Sequence, residues 1–277
     1  MDIGLKYKNQ EHIFDIVERE GVPYLCYPLL EKTGIVKHAF STRLGGVSTG
    51  CFTSMNISTS RGDDPFAVRE NVRRMAKAIG VNAEDFTYTQ QMHTTNVAVV
   101  REEDKGRQFL NTDGLITDVP GICLVTFYAD CVPLYFVDPV KRVIALSHSG
   151  WRGTVKRMGL VTIEKMKETF GCEPENIVAA IGPSICQDCY EVSEDVIDEF
   201  KKVFDAGQYE ELFYEKENRK FQLNLWKANE IILTEAGIRR ENLAVTNVCT
   251  HCNPELLFSH RSCGTKRGNL SAFLALR

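Results

Sequence analysis

The chain lacks any apolar run long enough to span a bilayer, so no membrane-embedded role is expected. Its first twenty residues carry Asp2, Glu11, Asp15 and Glu18 where a secretory leader would be apolar, and the expected location is cytoplasmic. A charge excess is missing too. Thirty-three Lys and Arg against 37 Asp and Glu leave −4, which argues against a general nucleic-acid or membrane surface. Gly/Ser linkers, low-complexity tracts and repeats are also lacking, so residues 1–277 read as one domain. No exposed apolar stripe or heptad run calls for a partner, and a monomer is expected. Histidine is scarce, with six residues, whereas cysteine is not, with ten. In a chain this long without an export signal, those cysteines point to thiols or metal ligands rather than disulfides.

What is there reads as α+β. Val22 to Thr42 has the pattern of two strands around a turn at Glu31 to Gly34, followed by the glycine-rich loop Arg43 to Gly50. Asp63-Asp64-Pro65 starts a helix in which Phe66, Val68, Val72, Met75, Ala76 and Ile79 form an apolar stripe, and Gly80 ends it. Strand patterns cover Thr95 to Arg101, Ile122 to Tyr128, Val132 to Val137, Val143 to Ser147, Ile177 to Ile181 and Val245 to Val248. Helices are expected from near Thr154 to Phe170, from Ser193 to about Val203, and from Leu225 to Ala236. Strands outnumber helices without regular alternation, which favours mixed sheets layered against helices over a doubly wound sheet.

Chemistry concentrates at the ends of three short apolar segments. Gln91-Met92-His93, Ala129-Asp130-Cys131-Val132-Pro133 and Ser147-His148-Ser149-Gly150-Trp151-Arg152-Gly153 supply two imidazoles and a thiolate, donors that suit zinc or copper. Three protein ligands leave a coordination position open for chemistry. Spacing alone does not bring them together. Taken singly, each reads equally well as a core histidine, a buried thiol or a loop histidine. Trp151 could wall a pocket, Arg152 could clamp a phosphate, and Arg43 and Arg261 lie in loops that could fold over the site. Asp130 could orient a ligand or a base.

A competing metal pattern is present in Cys186-Gln187-Asp188-Cys189 and Cys249-Thr250-His251-Cys252. Two C-x-x-C pairs suit a closed zinc site, but their separation is far longer than a zinc ribbon uses. The expectation is therefore four buried thiols without metal.

The chain resembles the YfiH-like, or laccase-domain, family, which is also labelled polyphenol oxidase and described as purine nucleoside phosphorylases. The matching strings include Ser41 to Ser48, Gly62-Asp63-Asp64, Gln91-Met92-His93, Asp113 to Thr117, Ala129 to Pro133, Ser147 to Thr154, Ile181 to Ile185, Tyr190-Glu191-Val192 and Phe258 to Arg261. The resemblance implies a zinc site at His93, Cys131 and His148, and an α+β fold distantly similar to a bacterial toxin deamidase. It implies phosphorolysis of adenosine, inosine, guanosine and S-methyl-5'-thioadenosine, with adenosine deamination as a side activity. Copper-dependent phenol oxidation, also attributed to the family, fits less well: a multicopper site needs His-x-His clusters that this sequence does not contain.

On this reading the substrates are a purine nucleoside and phosphate. Arg43, Asp130 and Arg152 are the catalytic candidates, and Arg43, Gln91, Trp151, Arg152 and Arg261 are the substrate-binding ones. Three departures from the family pattern stand out: serines at 147 and 149 beside His148, Asn224 where an acid is usual, and Ser262-Cys263 in the C-terminal arginine loop. The rival readings are a thiol hydrolase or deamidase with Cys131 as nucleophile and His148 as base, and a non-catalytic metal-binding protein.

Overall fold

In the computed structural model, which describes residues 3–277, two β-sheets pack face to face and helices cover their outer faces. The larger sheet has seven strands in the spatial order Asp15–Arg19, Val22–Cys26, Val36–Ser41, Leu270–Leu276, Cys123–Tyr128, Phe86–Thr89 and Gln108–Phe109. The second has six, in the order Leu243–Val245, Val178–Ile181, Val132–Asp138, Val143–Ser149, Gly114–Thr117 and Val97–Val99. A small three-stranded sheet of Glu191–Val192, Phe221–Leu223 and Phe213–Glu215 stands apart. Parallel and antiparallel pairings mix in both large sheets, so the fold class is α+β.

Period-two alternation explains the layers. In Cys123–Tyr128, Leu124 and Tyr128 enter the core between the sheets, whereas Cys123 and Val125 face outward. In Val132–Asp138, Tyr135 and Val137 join that same core, while Val132, Leu134 and Phe136 pack against helices on the other side. Helix Pro65–Ile79 covers the outer face of the larger sheet. Asp64 caps it by accepting from the Phe66 N–H at 2.9 Å, and Gly80 ends it at φ +73°. Helices Met158–Phe170, Glu194–Lys201 and Leu225–Glu235 cover the second sheet.

Several expectations need adjusting. Phe66, in the first turn of this helix, is 76% exposed and does not belong to the buried stripe of Val68, Met75, Ala76 and Ile79. The helix expected from Thr154 is broken: Trp151–Val155 is separated from Met158–Phe170 by Arg157 at φ +56°. Asn224, the departure from an acid, caps helix Leu225–Glu235 by accepting from the Lys227 N–H at 3.0 Å. The serines beside His148 face away from it. Ser147 bonds Thr162 at 2.8 Å and Ser149 bonds Thr154 and Asn229 at 3.0 Å, all in the helical layer.

Candidate active site

The site lies where the inter-sheet core opens to solvent. Strands Val132–Asp138 and Val143–Ser149 pair antiparallel with His148 opposite Pro133, so Cys131, one residue before its strand, sits near Gly150, one residue after the other. His148 is buried, Cys131 half-buried and His93 exposed. One donor atom from each lies within 4.8 Å of the other two. The Cys131 Sγ is 3.9 Å from His93 Nε2, and the two imidazole centroids are 4.9 Å apart.

Asp113, not among the candidates above, organises this triad. Its fully buried carboxylate pairs with His148 Nδ1 at 2.8 Å. It also accepts the backbone N–H groups of Met92, His93 and Thr94 at 2.9 to 3.1 Å, and the Thr94 hydroxyl at 2.9 Å. Those bonds hold His93 in a left-handed backbone conformation, φ +59°, which a non-glycine residue adopts only when its surroundings fix it. With Nδ1 committed to the carboxylate, His148 presents Nε2 to the sulfur, as in carboxylate-oriented metal ligands. Gly150 leaves the necessary room. A Cβ there would lie 3.0 Å from Cys131 Sγ and 3.0 Å from His93 Cδ2.

The charges are set mutually. Burial opposes the Cys131 thiolate, but His148 and then His93 outweigh it and bring the thiol down to about 6. Burial likewise opposes protonation of His148, yet the Cys131 thiolate and the Asp113 carboxylate raise it to about 9. Asp113 itself, pushed up by burial, is brought down to about 2 by His148 and the loop N–H donors. The metal-free polypeptide thus pairs a Cys131 thiolate with a protonated His148. Once a cation displaces that proton, the thiolate and two imidazoles form a donor set that fits a borderline-soft divalent ion with one position left over.

A cleft of about 490 Å³ opens onto the triad. Gln91, His93, Cys131 and His148 line it together with Phe127, Tyr128 and Ala129. Ser58, Ser60, Arg61, Arg267 and Asn269 line it as well. Among the described residues no carboxylate pairs with either arginine. The Asn269 carbonyl oxygen accepts from both, Arg61 Nε at 3.3 Å and Arg267 Nη1. Arg267 is 6% exposed and its Nε has no partner. Burial, and then the neighbouring charge of Arg61, lower its guanidinium to about 10. Two neighbouring guanidiniums that share an acceptor and have no carboxylate partner suit an anion. Sequence reasoning missed this pair because neither belongs to a chemically distinctive string.

Of the other candidates, Arg43, Asp130, Trp151, Arg152 and Arg261 do not line this cleft. Arg43 donates to the Thr53 and Pro254 carbonyls at 2.7 Å each and lies over Phe258, because its loop folds against the 53–55 backbone. Gln91 lines the cleft, but its amide is spent on Phe127, with bonds of 2.8 Å and 2.7 Å to that residue's peptide group. Arg152 stacks on Trp151 at 4.2 Å. Asp130, at φ +87°, accepts from the Thr250 hydroxyl and the Arg261 N–H at 2.6 Å each, so it anchors the backbone beside Cys131. Arg261 also donates to the Glu191 carbonyl at 2.9 Å and lies over Tyr190.

A family described as multi-copper polyphenol oxidoreductase laccase matches residues 37–277. The chain belongs to that family. It is 40% identical over 256 residues to a protein of Deinococcus radiodurans named purine nucleoside phosphorylase, covering 92% of this chain and 94% of that one. It is 33% identical to a protein from an unknown prokaryotic organism named adenosine deaminase RL5, covering 86% of this chain and 95% of that one. The crystal structure of YlmD from Geobacillus stearothermophilus superposes with a TM-score of 0.89 at 31% identity, covering 96% of this chain and 99% of that one. These findings bear out the YfiH-like resemblance and the fold class.

Proposed function

We propose that this protein is a zinc-dependent purine nucleoside phosphorylase. The observation that carries the reading is the cleft itself. A His–Cys–His donor set and two arginines without a carboxylate partner line one cleft of about 490 Å³, a size that suits a small-molecule ligand. His93, Cys131 and His148 would hold the zinc ion, which when bound supplies Lewis acidity at a substrate heteroatom. The names of the relatives support nucleosides as the substrate class. Adenosine, inosine, guanosine and S-methyl-5'-thioadenosine are the proposed substrates.

In phosphorolysis a phosphate oxygen bonds to the anomeric carbon while the bond to the purine nitrogen breaks, and the purine leaves with that electron pair. Arg61 and Arg267 hold the phosphate and keep its charge close to the cationic sugar of the transition state. On this reading anion handling falls to a pair other than Arg43 and Arg152, neither of which lines the cleft. Ser58 and Ser60 line the same cleft as the two arginines. Asp113 keeps His148 in the tautomer that turns Nε2 toward the site.

A second reading has an observation of its own: Asp113, His148 and Cys131 also have the order of an acid–base–thiol triad. His93 on the same sulfur favours the metal, since a nucleophile gains little from a second imidazole. Incubation with adenosine separates the readings. Phosphorolysis gives adenine and ribose 1-phosphate only when phosphate is present, and stops on chelation. Inosine formed without phosphate makes the protein a deaminase, and activity that survives chelation restores Cys131 as the attacking group.

A further inference from the structure

We propose that Cys186, Cys189, Cys249 and Cys252 form a second, closed metal site, built for zinc, that fixes the backbone behind Cys131. The two C-x-x-C pairs are distant in sequence, yet their four Sγ atoms all lie within 4.8 Å of one another. Tetrahedral zinc with bonds of about 2.3 Å needs sulfurs roughly 3.8 Å apart, and Cys189 and Cys252 are at 3.5 Å. The Cys186 N–H donates to Cys249 Sγ at 3.2 Å, a bond that stabilises a thiolate.

The surroundings suit a structural ion rather than a reactive one. Cys186 and Cys249 are buried and Cys189 and Cys252 half-buried, against Ile185, Tyr190 and Trp226. All four positions of a tetrahedron are filled, and no open coordination position is left for substrate. Four thiolates around a divalent ion carry an excess of two negative charges. Lys8 supplies a nearby cation: it bonds Asp188 at 2.6 Å, and its ammonium is further favoured by Cys186 and Cys252.

The cluster ties together the segments that hold Asp130. Residues 184 and 249 form a parallel bridge, and the Thr250 N–H donates to the Ser184 carbonyl at 3.1 Å. From these segments the Ile185 N–H donates to the Asp130 carbonyl at 3.0 Å and the Thr250 hydroxyl to its carboxylate at 2.6 Å. Asp130 is held at φ +87° immediately before Cys131. An ion joining 186–189 to 249–252 therefore stiffens the support of an active-site ligand from behind. This inference needs only the four thiols, and stands or falls independently of the nucleoside reading.

Metal content tests it. Protein purified under reducing conditions should carry two equivalents of zinc, Cys189→Ser and Cys252→Ser one, and the double variant His93→Ala/Cys131→Ala one. Cobalt loaded into that double variant should show the intense sulfur-to-cobalt absorption and visible bands of a tetrathiolate site. The double variant keeps the test valid if the Cys189 and Cys252 variants fail to fold. A folded double variant that binds neither zinc nor cobalt overturns the proposal. So do unchanged metal content in Cys189→Ser, and two disulfides among these four cysteines in the reduced, freshly purified protein.

Discussion

Two sulfur-bearing clusters sit on either side of Asp130 and differ in nearly every respect that matters for chemistry. The first has two imidazoles and one thiolate, faces a cleft of about 490 Å³, and is oriented by a buried carboxylate. The second has four thiols, packs against Trp226 and Tyr190, and does not line that cleft. An incomplete ligand set beside a cavity can bind substrate; a complete one in an apolar pocket can only hold chain segments together. Asp130 links them, with its carboxylate bonded toward the second cluster and its peptide leading into the first.

The sharpest way to break this contrast is to remove ligands from the open cluster alone. His148→Ala or Cys131→Ala should lower kcat/KM for phosphorolysis by on the order of 10³ or more, the value of several kcal/mol of metal-supplied charge stabilisation. Each variant should lose its active-site metal and remain folded. Metal analysis alongside steady-state kinetics checks this, and activity within tenfold of wild type despite metal loss would sink the open-site reading. The arginine pair is next in size. Arg61→Ala should raise the KM for phosphate by about 10- to 100-fold, since a hydrogen bond to a charged group contributes about 1.5–3 kcal/mol. Any phosphate-independent deamination should be untouched. Equal loss of both activities would mean that Arg61 shapes the cleft rather than binding phosphate.

What could be read in the sequence followed local physics. Asp64-Pro65 and Gly80 marked the ends of a helix because cap and stop chemistry is local. The strands through Cys123–Tyr128, Val132–Asp138 and Val143–Ser149 were visible as short apolar runs with turn signals between them. Leu270–Leu276, which lies in the middle of the larger sheet, passed unnoticed. Its sequence, Leu-Ser-Ala-Phe-Leu-Ala-Leu, has no β-branched residue to separate it from a helix. His93, Cys131 and His148 stood out by residue type, but their convergence depends on strand pairing, which sequence spacing does not encode. Arg61 and Arg267 are far apart in sequence and share the Asn269 oxygen as an acceptor. The four cysteines teach the same lesson in reverse. Their long separation argued against a shared site, but the parallel bridge between Ser184 and Cys249 sets the two pairs side by side.

The carboxylate behind His148 offers a graded perturbation of the open cluster. Asp113→Asn keeps the shape but removes the charge that fixes His148 Nδ1, and should weaken metal binding by about 10- to 100-fold. A competition titration with a chromophoric chelator measures it, and unchanged affinity would show that the loop N–H bonds alone orient the ligands. The same substitution has a pH signature. The native Asp113 carboxyl lies at about 2, below its usual value near 3.8, so its ionised form contributes stability above pH 4 that is lost as pH falls toward 2. The metal-free Asp113→Asn variant should therefore be less stable than wild type at neutral pH and approach it in acid.

The smallest effect comes from two glycines three residues apart. Gly150 has an ordinary extended backbone, φ −73° and ψ 179°, so alanine there meets no conformational penalty. Its added Cβ, however, would lie 3.0 Å from both Cys131 Sγ and His93 Cδ2. Those groups must move by a few tenths of an ångström, enough to spoil a coordination sphere that tolerates about 0.2 Å. Gly150→Ala should therefore weaken metal binding about tenfold while changing the melting temperature of the metal-free protein little. At Gly153 the nearest atom to a new Cβ is the His148 carbonyl oxygen at 3.5 Å, an ordinary contact. Gly153→Ala lies inside helix Trp151–Val155 and should be neutral or stabilising by up to about 1 kcal/mol, with metal affinity unchanged. If both alanines lowered metal affinity alike, the cause would be stiffening of the 150–153 turn rather than contact with the triad, and Gly150 would lose its place as the residue that makes room for the ion.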